Sequence, residues 1–177
     1  MQKENMRRDL TVSALLLMAT VVMAFFADWL PFGGKLLLQE IPVLLCGLIA
    51  GAPLGALVGL LTPFLSFLFV GEPVLFPDAL ALALEYALFG AVAEPIFRSA
   101  ARGLPALYAS LLAAMTAGRL GYFAVMYVII ELQHTPFSLR SLLHQQVTAV
   151  WMGILLQLIL IPLCIVAADR VGLLDDE

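Results

Sequence analysis

GLIAGAPLGALVGLLTPFLSFLFVGEPVLFP, residues 47 to 77, decides how this chain is read. An apolar run is cut at Gly51-Ala52-Pro53, resumes from Leu54 to Val70, and stops at Gly71-Glu72-Pro73. Proline supplies no amide donor and glycine is conformationally permissive, so both tripeptides read as turns between helices. An acid, Glu72, therefore stands in the gap between two segments suited to lipid, and the rest of the chain has to account for it.

Composition defines the solvent. Of 177 residues, 63% are hydrophobic and 12% charged, with a mean hydropathy of +1.03. That leaves too little polar surface to cover a soluble globule. The chain reads as an all-α integral membrane protein, a single membrane domain over residues 1–177 with no soluble domain and no nucleic-acid partner. Cys46 and Cys164 fall within predicted spans and read as small buried apolar residues.

Working outward from the opening stretch, residues 10–30 (LTVSALLLMATVVMAFFADWL) are long enough to cross a hydrocarbon core of ~30 Å. Lys3, Arg7 and Arg8 precede this run as in a signal peptide, but it exceeds the usual ~7 to 15 residue apolar core and ends in bulky Trp29, Leu30 and Pro31. It reads as helix 1. Residues 41–50 form a short helix 2, too short to span alone unless enclosed by protein or tilted beside its neighbours. Helix 3 covers 53–70 and helix 4 covers 78–97, started by Pro77-Asp78. Helices 5 (104–132) and 6 (142–168) exceed the minimum span and are expected to tilt or project.

Six crossings put both termini on one side, together with Lys3, Arg7, Arg8, Arg98, Arg102 and Arg170, against Lys35 and Arg140 on the other. The positive-inside rule then predicts a six-helix bundle with both termini cytoplasmic. A five-span reading separates Arg98 and Arg102 from the basic N-terminus. With six spans, three outer loops carry Lys35, Gln39 and Glu40; Glu72; and Gln133, His134 and Arg140. Solvation of loops is one account of this polarity.

The intramembrane residues add to it. Arg119 lies mid-helix in MTAGRLGYFAVMY, where an unpaired arginine costs from ~3 to more than ~10 kcal/mol, so it must face protein or water. Glu85, in LALEYALFG of helix 4, is the candidate counter-charge, and a purely structural pair is the rival reading. On helix 6, His144, Thr148 and Trp151 follow the i, i+4, i+7 spacing of one face, with Gln145 beside them. On helix 5, Tyr122, Met126 and Tyr127 extend toward Glu131. Apolar and aromatic walls with a few polar groups are what a small-molecule pocket requires, although tyrosine and tryptophan also occur as interfacial belt residues.

No phosphate-binding glycine loop with lysine, no HExxH and no aspartate-rich metal motif appears, which argues against an enzyme and a metal site. Nor is there an ATPase or a clear pair of inverted repeats with broken midplane helices, which argues against a transporter working alone.

Residues 41 to 77, with IPVLL (41–45), a glycine-rich turn, GALVG (55–59), Pro63 to Ser66 and the Gly71-Glu72-Pro73 loop in that order, resemble the second and third helices of the S components of energy-coupling factor (ECF) transporters. AGRLGYF (117–123) resembles the glycine-arginine element of that family's fifth helix. The resemblance implies a six-helix subunit of the prokaryotic cell membrane that binds a water-soluble vitamin from outside, in a pocket built from the first, third and fifth loops and helices 4 to 6. It implies as partners a transmembrane coupling protein and two cytoplasmic ATPases, so that ATP and Mg belong to those subunits and this chain needs no cofactor. It also implies a small-residue docking face on helix 1, for which Ala14, Met18 and Ala19, or Thr20 and Ala24, are the best match.

The expected substrate-binding residues are thus Glu40, Glu72, Glu85, Arg119, Tyr122, Tyr127, His134, Arg140, His144, Gln145, Thr148 and Trp151. Arg119, Arg140 and the histidines suit a carboxylate; Glu40, Glu72, Glu85 and Glu131 suit a cationic or hydroxyl-rich ligand. If Arg119 and Glu85 neutralise each other, a neutral hydrogen-bonding molecule is favoured. The alternative to a vitamin-binding subunit is a membrane scaffold whose polar residues pair with one another.

Overall fold

A computed structural model describes residues 2–30, 36–99, 103–133 and 139–170, with side chains for all of these except residues 2–4 and 139–150. The elements are α1 (Gln2–Trp29), α2 (Glu40–Ala50), α3 (Ala52–Val70), a turn at Leu75–Ala79, α4 (Leu80–Ser99), α5 (Leu104–Gln133) and α6 (Leu139–Arg170). The described residues hold five helices long and apolar enough to cross a membrane and one shorter apolar helix, Glu40–Ala50. With the composition, this is a multi-pass helical membrane bundle.

The short helix is enclosed. Every residue of α2 from Glu40 to Leu48 is buried, with α1, α3, α4 and α6 packed around it. An 11-residue helix thereby avoids leaving its ends in hydrocarbon, where unsatisfied backbone groups are costly. α1 is the opposite case: Leu15, Met18, Phe25, Phe26 and Trp29 are exposed. A helix apolar on all sides that packs on one side only suits contact with lipid.

Small residues bring α2, α3 and α4 close together. A Cβ added at Gly59 would collide with the Tyr86 backbone, one at Gly90 with Gly55, and one at Gly47 with Gly90. Without a hydrophobic drive between helices in lipid, such close backbone approach is what holds them together. α3 ends as the sequence requires: Gly71 takes the left-handed conformation (φ 89°) and its N–H bonds the Phe67 carbonyl at 2.9 Å. At the other end of α3, the Glu94 carboxylate accepts from the Ala52 N–H and pairs with Arg98 at 2.7 Å.

Several helix boundaries differ from the expectation. α1 starts at Gln2 instead of Leu10, because residues 2–9 are mostly good helix formers whose polarity hides them from a hydropathy reading. α4 begins at Leu80, after a turn in which Phe76 is extended (φ −135°, ψ 129°) and the Ala79 N–H reaches the Val74 carbonyl at 3.0 Å. α6 is longer at both ends than residues 142–168.

Candidate functional site: a buried carboxylate–arginine network

Glu40 is the first residue of α2 and is 1% exposed. The expectation that it lies in a loop is corrected: residues 37–39 form a tight turn in which Leu37 adopts a left-handed backbone (φ 51°). The Leu37 carbonyl there accepts the Glu40 N–H at 3.1 Å. A leucine in that region is strained and persists only where its surroundings hold it. Here the Leu37 side chain lies where a Cβ on Gly153 of α6 would fall.

The turn aims Glu40 at Arg119. Arg119 Nη2 donates to Glu40 Oε1 at 2.8 Å, and Nη1 donates to Glu85 Oε1 on α4. The planar fork of a guanidinium lets one arginine join two helices in this way. Its carbon also sits 5.7 Å from the centroid of the Phe89 ring, a favourable placement of cation over π face. Phe89 is held by Gly118, one residue before Arg119, where any side chain would strike the ring, and it stacks on Tyr86 with centroids 5.8 Å apart.

The fourth helix contributes Gln157, which is fully buried. Its Nε2 donates to Glu40 Oε2 at 2.9 Å and to the Leu37 carbonyl at 3.4 Å. Both contacts are acceptors, so the amide orientation is fixed: turning it over would set oxygen against oxygen. Two buried acceptor atoms of the network, Glu85 Oε2 and Gln157 Oε1, find no donor among the described residues.

Among the described residues, two carboxylates share one guanidinium inside an apolar bundle. Buried ions are tolerated when paired and hydrogen-bonded, and here the acid is in excess. The network presents acids, one guanidinium and one amide, groups that can recognise charge and hydrogen-bond donors. Among the described residues no three His, Cys, Asp or Glu side chains come together to hold a metal ion.

The structure thus brings together three of the expected residues, Glu40, Glu85 and Arg119. Tyr122 is buried on α5, one helical turn from Arg119, edge-on to Phe123 with ring centroids 6.0 Å apart. Tyr127 and Trp151 are both 57% exposed, and Glu72 is exposed in the turn after α3. His134 lies outside the described residues, as do the side chains of Arg140, His144, Gln145 and Thr148. On α1, Ala14 and Met18 face outward and Ala19 is half-buried. Thr20 and Ala24 face the bundle, and the Thr20 hydroxyl bonds the Leu17 carbonyl at 2.7 Å and lies 3.3 Å from the Thr62 hydroxyl.

Gln157 was not among the expected residues. Its signal is present in the sequence: it is the one amide in the apolar run between Trp151 and Asp169, and an intramembrane polar residue marks a functional position by default. Comparison with protein-family models, with curated proteins and with solved structures gives no match for this chain.

Proposed function

We propose that this chain is a membrane-embedded binding subunit of the ECF S-component type. It captures a water-soluble vitamin or related micronutrient from outside and passes it inward through a complex with a transmembrane coupling protein and two cytoplasmic ATPases. In this reading the bundle crosses the membrane six times with both termini in the cytoplasm of a prokaryotic cell. ATP and Mg act in the partner subunits, and the chain itself is not an enzyme.

The observation that carries the reading is the buried network of Glu40, Glu85, Arg119 and Gln157, drawn from four helices inside an apolar bundle. An assembly of this kind is expensive to bury, and a simple bundle has no need of it. The motif order over residues 41 to 77 supplies the type of subunit. Glu72, held between Gly71 and Pro73, is then a residue of the outer loop that closes over the ligand.

One observation favours the scaffold reading: Arg119 is already paired with acids. The two readings part on a direct experiment, extraction and identification of small molecules from protein purified in mild detergent. A stoichiometric vitamin-like compound is the expected result. An empty protein that also gains no thermal stability across a vitamin panel would establish the scaffold, since a ligand at 100 times its dissociation constant adds ~2.7 kcal/mol.

A further inference from the structure

We infer that the network of Glu40, Arg119, Glu85 and Gln157 recognises a cation, and that the small molecule bound by this protein carries a positively charged nitrogen. The inference rests on the binding-subunit reading and deepens it by assigning a ligand charge.

Two independent features point the same way. The first is composition: among the described residues Arg119 is shared between two carboxylates, Glu40 at 2.8 Å and Glu85, so the acids outnumber their cation. A carboxylate-seeking site would need the reverse excess. The second is hydrogen bonding. Gln157 is not acidic, is fully buried, and has spent both its N–H donors on Glu40 and Leu37. Its Oε1, like Glu85 Oε2, has no donor among the described residues. A buried acceptor without a partner is destabilising, and more so where the group is charged. What the network lacks among the described residues is therefore donors, beside two acids that share one cation, and a protonated or quaternised nitrogen group with neighbouring N–H fits that setting.

The surrounding rings fit the same occupant. Tyr86 stacks on Phe89, whose ring already faces the Arg119 cation, so an aromatic wall beside the network accommodates positive charge. Because both oxygens are enclosed, a ligand reaches them only when a packed element moves. On α6, Gln157 covers Glu40 Oε2 through its donated hydrogen bond.

The test is the thermal unfolding of the full chain in detergent with probes of matched type and different charge. Thiamine and 1-methylnicotinamide are the cations, riboflavin and nicotinamide the neutral members, and pantothenate and nicotinate the anions. The expected result is stabilisation by a cation and by no neutral or anionic probe, with affinity for that cation at least tenfold weaker in Glu85→Gln. Tenfold corresponds to about 1.4 kcal/mol. The wild-type series decides the charge preference even if the variant folds poorly, and Glu40→Gln serves as a second variant.

Stabilisation by a neutral or anionic vitamin overturns the inference and leaves the binding-subunit reading standing. Stabilisation by none of the six, in a protein that purifies empty, overturns both. A wild-type protein unmoved by cations, beside a Glu85→Gln variant of equal or greater stability, assigns the excess charge to a resident proton and also overturns the inference.

Discussion

Helix α4 carries two buried or half-buried glutamates that meet arginines, and they are not alike. Glu94 pairs with Arg98 one turn along at 2.7 Å and caps α3 through the Ala52 N–H. Both its oxygens are used and its partner is 45% exposed. Glu85, nine residues earlier, is fully buried, shares Arg119 with a second acid, and keeps one oxygen without a donor among the described residues. The first constellation is complete as a piece of architecture. The second is incomplete, and the incompleteness is what points to a ligand.

The sharpest way to break this comparison is to remove Arg119. Arg119→Leu leaves two carboxylates buried side by side, and uncompensated burial of charge costs about 3 to 5 kcal/mol. Denaturant unfolding in detergent should show a loss of that size; a loss below about 1 kcal/mol would mean that water already reaches the acids. Restoring neutrality with Glu40→Gln and Glu85→Gln in the same chain should recover most of it, because contacting residues are energetically coupled.

At the other constellation the expected loss is smaller. Glu94→Ala removes a carboxylate acceptor from the start of α3 and a partly exposed i, i+4 pair, for about 1 kcal/mol together. It should leave ligand affinity unchanged. A loss as large as that of Arg119→Leu would erase the distinction drawn between the two glutamates.

Glu72→Ala gives the smallest stability change, within about ±0.5 kcal/mol for an exposed residue away from packing features. Under the proposed function it nonetheless weakens binding of the identified ligand, measured by calorimetry. Unchanged affinity would remove Glu72 from the loop that closes over the site.

How much of this could be read from the sequence follows from what each signal depends on. The turns at Gly51 and Gly71 were legible because glycine and proline act locally. Arg119 with Glu85 was legible because a charge within an apolar run must find a partner. Glu40 was misplaced because PFGGKLLLQE resembles a loop by composition, and only the left-handed turn at Leu37 reveals that it opens a buried helix. Gln157 carried a weaker signal, one amide in a long apolar segment, and its partners lie 117 and 120 positions away. The polar start of α1 was invisible to hydropathy for a related reason: helix propensity operates there without apolar periodicity. Trp151, which is exposed, shows the limit of periodicity at one residue: spacing assigns it to a face but not the direction in which it points. The described inward face of α6 holds Gly153, Gln157, Ile161 and Ile165.

The central claim is that the incomplete glutamate–arginine constellation holds a ligand and the complete one does not. Native mass spectrometry of the wild-type chain, Glu85→Gln and Glu94→Ala, each released from mild detergent, compares the two directly. The account predicts one small-molecule adduct per chain in the wild type and in Glu94→Ala, and none or a trace in Glu85→Gln. The same adduct on all three proteins, or on none of them, would contradict it.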